Sequence, residues 1–427
     1  MQISGPILRS YLSKCVTLIV FSILLCACNS NYIENISDTE ITKDISSESN
    51  ISKTQINIDE LLIKKEIIKA INILNIKKIA VLLPMTGKYS KIGKAIFEGI
   101  EIELNNNFKA DIPELVIYDT GDEKINLKEV YYEMLSQDFK YVIGPLRKDL
   151  IDEITNLNSK NITILTLNYS NNFKKLNKEI YQFGLLPEDE AICIAEKAII
   201  DGNHKASIFY PNNKWGFRIA ESFSLRFQEL GGQIVDISKY EKDDKEINTS
   251  IRSLLKIEES IKRKNRIQSI LKTKVQYKPY ISNDLDMIFS IGTPKNMKII
   301  KPQFNFNYAE DVPFYSTSHI YSGVINKKTN QDLNGIKFCD IPWLYNNKNS
   351  ETKSKLYESA EKQDLLRFVA IGMDSIKIIY NIDQLKKNKT KFLLGDTGYL
   401  RLDEFNKIRR NLVIVKFKNG IAKNIPF

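Results

Sequence analysis

The most constraining feature of this sequence is a regular alternation between short β-branched segments and longer helical segments. Runs such as Ile79–Leu83 and Met287–Ile291 are predicted strands, and amphipathic stretches such as Lys91–Asn106 and Trp215–Leu230 are predicted helices. Strands that alternate with helices of this length are typical of βαβ units and a parallel sheet. Two such series, before and after residues 183–187, predict an α/β protein with two doubly wound parallel-sheet lobes joined by a multi-strand hinge.

The same pattern gives the remaining elements and a division into lobes. Further strands are predicted at Leu115–Tyr118, Tyr141–Ile143, Ile162–Leu167, Tyr181–Gly184, Ala206–Tyr210, Gln233–Tyr240, Pro313–Thr317, Ile336–Cys339 and Leu412–Lys418. Further helices are predicted at Asn126–Gln137, Glu188–Ile200, Asn248–Lys264 and Asp364–Lys387. The predicted domain is 77–427, with about 77–184 and 336–387 in the first lobe and about 185–335 and 388–427 in the second.

The amino terminus has the composition of a bacterial signal peptide. Arg9 and Lys14 accompany an apolar run, Cys15–Leu25, which is too short to span a bilayer that requires about 20 helical residues. The run leads into Leu25-Cys26-Ala27-Cys28, which resembles the lipobox at which bacterial lipoproteins are cleaved and acylated. Residues 1–27 are therefore predicted to be removed; an ordinary signal peptide with incidental cysteines is the alternative.

Cys28 is the predicted lipid attachment site, and two or three acyl chains hold a protein on a membrane almost permanently. Asn29 follows in place of the Asp that resembles an inner-membrane retention signal, which favours the periplasmic face of the outer membrane. Residues 28–60 are rich in Asn, Ser, Thr and acidic side chains and predict a flexible tether. Residues 61–76 predict one amphipathic helix that leads into the folded domain.

The net charge and the composition of the sequence limit the kinds of partner and of active site that can be expected. The net charge of +10 would suit nucleic acid, but a periplasmic lipoprotein meets little of it, so anionic lipid, peptidoglycan or an acidic protein surface is favoured. The chain has two histidines, which argues against a His-rich metal site and a hydrolytic triad. No metal, no cofactor and no catalytic residue is predicted.

Two cysteines remain in the predicted folded domain. Cys193 and Cys339 both lie among apolar neighbours, and a periplasmic location permits disulfides. Because they are far apart in sequence, buried free thiols are the prediction and a disulfide between them is the alternative.

The loop after the first predicted strand superficially resembles a phosphate-binding loop. Gly87 and Gly93 are one residue too far apart for that motif, and Ala95 occupies the position of the magnesium ligand. Leu-Pro-Met-Thr-Gly followed by a helix instead resembles the opening of type I periplasmic binding proteins, in which this loop lines the cleft between the lobes. Loops after neighbouring strands reach the same sheet edge, so the predicted cleft residues are Thr86, Gly87, Ser90, Gly144, Pro145, Asn168 and Tyr169. The alternative is that the Gly and Pro residues only form tight turns.

Charged clusters lie elsewhere. Residues 188–190 are three acids at a predicted helix start, where they are expected to complement the helix dipole. The acids at 119, 122 and 123 predict a solvated loop. A basic run that includes Arg263, Lys264 and Arg266 is the predicted partner-docking or anionic-surface site, with a solvated helical face as the alternative.

Several segments in the same order resemble the carboxy-terminal domain of the LpoA family, which are outer-membrane lipoprotein activators of bifunctional penicillin-binding proteins. The resemblance spans roughly residues 76–427 and rests on Phe183–Ala191, Arg263–Ile267, Ile300–Pro302, Phe314–Ser318, Leu333–Leu344, Arg367–Asp374 and Gly395–Gly398. It implies a non-enzymatic protein that docks on a bifunctional class A penicillin-binding protein and raises its peptide cross-linking.

Two further expectations accompany this resemblance. Well-studied family members carry a helical-repeat domain before this domain, where the present sequence has only the tether and one helix. A second function, a lipid-anchored receptor for an amino acid or another small solute, is predicted by the resemblance to periplasmic binding proteins, with Thr86, Ser90, Asn168 and Tyr169 supplying part of the site.

Overall fold

The computed structural model describes residues 76–108, 112–121, 125–157, 162–170, 179–241, 244–279, 281, 285–323, 325–346 and 365–426. The predicted signal peptide, Cys28, the tether and all but the last residue of the predicted helix 61–76 lie outside the described residues. The acids at 122 and 123 do so as well.

The first sheet is formed by five parallel strands in the order β2-β1-β3-β4-β5. Strand β1, the second in this order, is apolar and buried from Ile79 onward, as expected for a parallel strand covered on both faces. The elements are β1 Lys78–Leu83, α1 Ser90–Asn107, β2 Glu114–Asp119, α2 Leu127–Ser136, β3 Tyr141–Ile143, α3 Lys148–Ile154, β4 Thr163–Thr166 and β5 Ile180–Gln182.

The second sheet repeats this strand order and adds two strands. Its parallel part runs β7-β6-β8-β9-β10, and β14 and β15 extend it antiparallel beyond β10. The elements are α4 Pro187–Ile200, β6 Lys205–Pro211, α5 Lys214–Glu229, β7 Gln233–Tyr240, α6 Asp244–Leu254, α7 Ile257–Leu271, β8 Met287–Ser290, α8 Pro294–Phe304, β9 Phe314–Thr317, β10 Lys337–Asp340, β14 Val413–Lys418 and β15 Ile421–Ile425. The predicted α/β fold with two parallel-sheet lobes is confirmed.

Helix α9, Leu366–Lys387, returns to the first lobe and packs along α1. The two helices approach closely at Gly99 and Gly372, where a Cβ on Gly372 would lie 2.0 Å from the carbonyl oxygen of Ile96. Glycine at both positions is therefore required by the short distance between the two backbones.

A three-stranded antiparallel sheet follows α9 and consists of β11 Leu393–Leu394, β12 Tyr399–Leu402 and β13 Ile408–Asn411. Its strands contact α9, and Lys407 just before β13 forms an isolated bridge with Gln182 of β5. This sheet was not predicted, because strands of two to four residues leave too short a pattern to recognise.

The predicted division into lobes is wrong at two places. β10 pairs with β9 and β14 in the second sheet, so residues 337–340 do not belong to the first lobe. The sheet at 393–411 is not part of the second sheet: it contacts α9 and bridges to β5 of the first lobe, and Arg409 also pairs with Asp189 of α4 in the second lobe. Both errors concern contacts between elements, which the periodicity of the sequence within each element does not report.

The predicted helix Asn248–Lys264 is two helices. The chain turns at Lys256, which has a left-handed backbone conformation with φ of 54°, and this turn separates α6 from α7. The break lets Leu254, Leu255 and Ile257 all point into one apolar core. α3 and α8 were not predicted; Pro302 in the last turn of α8 made that segment unlike a helix.

The two cysteines form a disulfide, so the prediction of free thiols is wrong. Cys193 in α4 and Cys339 in β10 have Cα atoms 6.3 Å apart although 146 positions separate them in sequence. The fold places this helix against this strand, a proximity that cannot be read from the spacing.

All described residues fall within one compact unit, and apolar clusters fill the spaces between its sheets and helices. None of the described helices is both long enough and apolar enough to cross a membrane.

Candidate functional site

A cleft of about 1020 Å³ lies between the two lobes. The first lobe contributes the start of α1 and the loops after β3 and β4, and the second contributes the start of α4 and the segment after β9. Its lining residues are Tyr89, Ile92, Leu146, Arg147, Lys148, Asp149, Leu167, Asn168, Leu185, Glu190, Pro294, Ser318, His319, Tyr321, Ser322, Arg367 and Phe368. Apolar walls with a few fixed charges are typical of sites that bind small polar molecules.

Glu190 is the buried anion of the second-lobe wall. Its carboxylate accepts hydrogen bonds from the backbone N–H of Ser318 at 2.7 Å and from the Ser318 hydroxyl at 2.8 Å. His319 Nδ1 lies 3.7 Å from the same carboxylate. Burial opposes ionisation of Glu190, but the contacts with His319, Arg367 and Ser318 outweigh it and lower the pKa of the carboxyl. The expectation that this acid only complements the helix dipole is therefore wrong.

Arg367, at the start of α9, is the cation that acts on Glu190 in the cleft lining. Its guanidinium donates two hydrogen bonds to the fully buried Asp340, at 2.8 and 2.6 Å, and a third to the carbonyl of Tyr321 at 3.1 Å. Burial opposes the charge on Arg367, but the Asp340 carboxylate more than compensates and raises its pKa. The pair ties α9 to the end of β10, so the wall of the cleft is built across the two lobes.

Arg147 is a cation of the first-lobe wall. Its guanidinium donates to Asp149 and, at 3.2 Å, to the carbonyl of Thr120. Lys148 lines the cleft beside it. The two walls of the cleft thus present charges of both signs.

The predicted cleft residues Thr86, Gly87 and Ser90 lie beside the cleft-lining residue Tyr89 but do not line the cleft themselves. The Thr86 hydroxyl donates to Asp119 at 2.6 Å, and Asp119 also accepts from the N–H groups of Met85 and Gly121. These hydrogen bonds outweigh the effect of burial and lower the pKa of Asp119, which therefore organises the loop instead of being a free solvated acid. The carbonyl of Gly87 accepts a hydrogen bond from the N–H of Ser90. The residue of this loop that lines the cleft is Tyr89, next to Ser90.

Of the other four predicted cleft residues, Gly144, Pro145, Asn168 and Tyr169, one lines the cleft. Asn168 lines the cleft, and its Nδ2 donates to the carbonyl of Leu146 at 3.4 Å. Gly144 and Pro145, which are joined by a cis peptide bond, immediately precede Leu146. Tyr169 is buried and donates to the carbonyl of Ile408 at 3.1 Å, away from the lining. A ligand-binding role for these residues stays a prediction.

The predicted docking residues Arg263, Lys264 and Arg266 lie on α7 of the second lobe and are not part of the cleft lining. Arg263 and Arg266 are exposed, and Lys264 is partly covered. Their role as a partner surface stays a prediction.

Sequence reasoning missed the charged groups of the cleft, among them Glu190, Arg367 and Arg147. The available signals were their positions: each stands at or just before the first turns of a helix, and Ser318 and His319 follow a buried strand. Among the described residues, no group of three or more His, Cys, Asp or Glu side chains is placed to hold a metal ion.

Two parallel-sheet lobes around an open cleft give this protein the fold of the type I periplasmic-binding-protein class. A structure of the same class, an ABC-transporter solute binding protein from R. palustris in complex with 4-hydroxybenzoate, superposes with a TM-score of 0.52 at 15% identity over 82% of this chain and 95% of that chain.

The chain belongs to the LppC lipoprotein family, whose sequence profile matches residues 61–420. The penicillin-binding protein activator LpoA of Photobacterium profundum is 26% identical over 354 residues, which are 81% of this chain and 57% of that relative. The chain therefore spans less than two thirds of the length of this relative.

A solved structure of a family member covers the same region. The LpoA (YraM) C-domain from Haemophilus influenzae, described as a regulator of PBP1A, superposes with a TM-score of 0.65 at 20% identity over 82% of this chain and 100% of that chain. These relatives are named as an activator and a regulator rather than as enzymes.

Proposed function

We propose that this protein is an outer-membrane lipoprotein that binds and activates a bifunctional class A penicillin-binding protein, promoting peptidoglycan synthesis and cross-linking. The observation that carries the proposal is the sequence match of the described domain to a relative named as a penicillin-binding protein activator. Membership of a lipoprotein family and the Cys28 sequence support an acyl anchor on the periplasmic face. Catalysis then belongs to the synthase.

The first prediction tests this partnership directly. Residues 29–427, added to the organism's class A synthase, are expected to bind it and to increase the cross-linked fraction of its product. The readouts are affinity capture with purified synthase and separation of digested peptidoglycan products.

A matched control is the same assay with a synthase whose penicillin-sensitive domain has been inactivated by the antibiotic. Cross-linking should then be absent while binding persists. An absence of binding and of stimulation at micromolar protein would overturn the proposal.

A second candidate function is a receptor for a small solute, and the charges on opposite walls of the cleft favour it. Arg147 and Lys148 on one wall and Glu190 on the other can pair with a ligand that carries both signs. The volume of about 1020 Å³ leaves room for an amino acid or a short peptide.

The second prediction tests this receptor function by thermal denaturation. A ligand at a hundred times its dissociation constant should stabilise the protein by about 2.7 kcal/mol. Amino acids and soluble cell-wall fragments are the probes, and Lys148→Ala should weaken any response because it removes a cation from the cleft. A response that survives this change places the ligand elsewhere, and no response across the probes contradicts the receptor function.

A further inference from the structure

The carboxy-terminal half of α7 carries apolar side chains that the rest of the described protein does not cover. Ile267, Ile270 and Leu271 are 48%, 69% and 57% exposed. Within α7 only Ile257 and Ser260, both in its first turn or just after it, are buried. The last turns of the helix therefore present an aliphatic cluster to solvent.

Cations surround this cluster, and anions are missing from the same stretch. Residues 262–279 contain seven Lys or Arg and no Asp or Glu: Lys262, Arg263, Lys264, Arg266, Lys272, Lys274 and Lys278. The segment after the helix folds back along it, because the Tyr277 hydroxyl donates to Ser260 Oγ at 2.8 Å and Lys264 Nζ lies 5.8 Å from the centre of the Tyr277 ring. The cations of helix and segment thus share one region, which we call the α7 surface (residues 262–278).

Two other exposed aliphatic residues among the described ones lack this setting. Ile200 and Leu225 are both 59% exposed, but each stands alone on its helix end or face. Acidic groups neighbour them, with Asp201 next to the first and the Arg226–Glu196 pair next to the second. Single exposed apolar residues are ordinary on protein surfaces, whereas a contiguous group of them is a candidate interaction site.

We propose that the α7 surface binds the headgroup region of an anionic phospholipid bilayer. Aliphatic side chains flanked by Lys and Arg on one helix suit the boundary between headgroups and acyl chains, where the apolar atoms are buried and the cations meet phosphate. Protein-binding hot spots are enriched in Trp and Tyr, as well as Arg, around a central anchor. The exposed apolar residues of the α7 surface are aliphatic, and its aromatic residue, Tyr277, is half-buried and bonded to Ser260, so the lipid is the better match.

Charge also favours a membrane as the occupant. Seven cations without an intervening anion repel one another in solution, and a dense array of lipid phosphates relieves that repulsion along the whole surface. A second contact with the bilayer, in addition to the proposed acyl anchor at Cys28, would orient the domain so that the second lobe faces the membrane.

The third prediction measures vesicle binding. Residues 29–427, which lack the acyl groups, are expected to sediment with vesicles of phosphatidylethanolamine and phosphatidylglycerol and to stay in solution with vesicles of phosphatidylcholine. Arg263→Glu/Arg266→Glu should lower the partition coefficient at least tenfold, since each cation near an anionic surface contributes about fivefold. Ile270→Ser/Leu271→Ser should lower it about tenfold, because both side chains would lose their apolar environment.

Matched variants keep the test independent of net charge and folding. Lys94→Glu/Lys128→Glu makes the same change of charge at exposed positions of the first lobe, and Ile200→Ser/Leu225→Ser removes equally exposed aliphatic side chains. Both controls should bind vesicles within about twofold of the unchanged protein. All variants should give the circular dichroism spectrum and melting temperature of the unchanged protein.

Two outcomes would overturn the proposal. One is that the unchanged protein does not bind the anionic vesicles, and the other is that it binds them equally after the α7 substitutions. If the α7 substitutions instead abolish capture of the class A synthase, the surface binds an acidic protein and not a lipid. Because synthase activation is measured separately, failure of vesicle binding leaves the proposed function intact.

Discussion

Replacing Cys193 and Cys339 with alanine is expected to lower the free energy of unfolding by about 4 to 5 kcal/mol. The disulfide closes a loop with a sequence separation of 146 residues, and in the chain-entropy description a cross-link over so long a loop stabilises by about that amount. It ties α4 to β10: Cys339 is buried in an apolar cluster, and the half-buried Cys193 packs against that cluster. Because the variant has small apolar side chains at both sites, the expected loss of unfolding free energy contains no cost for burying a polar group.

The measurement is guanidinium denaturation of the oxidised protein and of the variant. Reduced but otherwise unchanged protein is the matched control, because it loses the cross-link and retains the volume of both sulfur atoms. The two should lose stability to a similar degree. A difference below about 1 kcal/mol between oxidised protein and variant would mean that the unfolded chain gains little freedom when the cross-link is removed.

Much of the fold could be predicted because its signals are local. Asn126 and Asn213 precede helices α2 and α5, and their side chains accept from Glu129 N–H and Gly216 N–H as capping residues do. Apolar runs such as β1 mark the buried parallel strands. Helices and strands of this kind can be recognised from their own residues, whichever elements they contact in the folded protein.

The errors concern pairings that are not local. β10 was assigned to the wrong lobe because the sequence does not show which strands it pairs with. Its partners are β9, the strand before it, and β14, which follows only after α9 and the three-stranded sheet. The disulfide was missed for the same reason. At Lys256 the burial of Leu254, Leu255 and Ile257 in one core overrides helix propensity, and no local pattern contains that information.

The candidate site was only partly predictable. The loops after β3 and β4 reach the cleft as the rule for parallel sheets requires, and Asn168 lines it. The charges that define its chemistry are set by tertiary partners: Glu190 by Ser318, and Arg367 by Asp340. An acid at a helix start looks the same in sequence whether it faces solvent or a cleft.

Helix α9 connects the cleft with a second group of buried charges. Arg367 in its first turn lines the cleft, and Lys377 three turns later lies among three carboxylates between α1, α9 and the loop after β11. Because α9 packs on α1 over most of its length, a change at the charged cluster acts on the same helix that forms the cleft wall.

The Lys377 ammonium is the shared cation of this cluster. It contacts Asp396 directly, and its Nζ lies 3.5 Å from Asp374 Oδ1 and 3.6 Å from Glu103 Oε2. Burial opposes the charge on Lys377, but the three carboxylates outweigh it and raise the pKa of the amine. Burial raises the pKa of Glu103 to about 7; Lys377 opposes that rise, and Asp396 and Asp374 add to it.

Replacing Lys377 with methionine is therefore expected to lower the free energy of unfolding by about 3 to 5 kcal/mol near pH 8, because it leaves buried carboxylates without their counter-ion. Lys386→Met is the matched control on the same helix. Lys386 pairs with Glu179 at 2.8 Å, but both side chains are close to one-third exposed, so its loss should cost about 1 kcal/mol or less. Equal losses in the two variants would contradict the argument.

The pH dependence gives an independent check. The pKa of Glu103 is about 7 in the folded protein and 4.5 without the fold, so the folded state binds more protons between these values. Stability from this group is present below about pH 4.5 and falls as the pH rises toward 7. Lys377→Met should steepen this fall and extend it to higher pH, because the pKa of Glu103 rises further without the cation. Adding Glu103→Gln should flatten the profile and recover part of the lost stability, and an unchanged profile would exclude Glu103 as the titrating group.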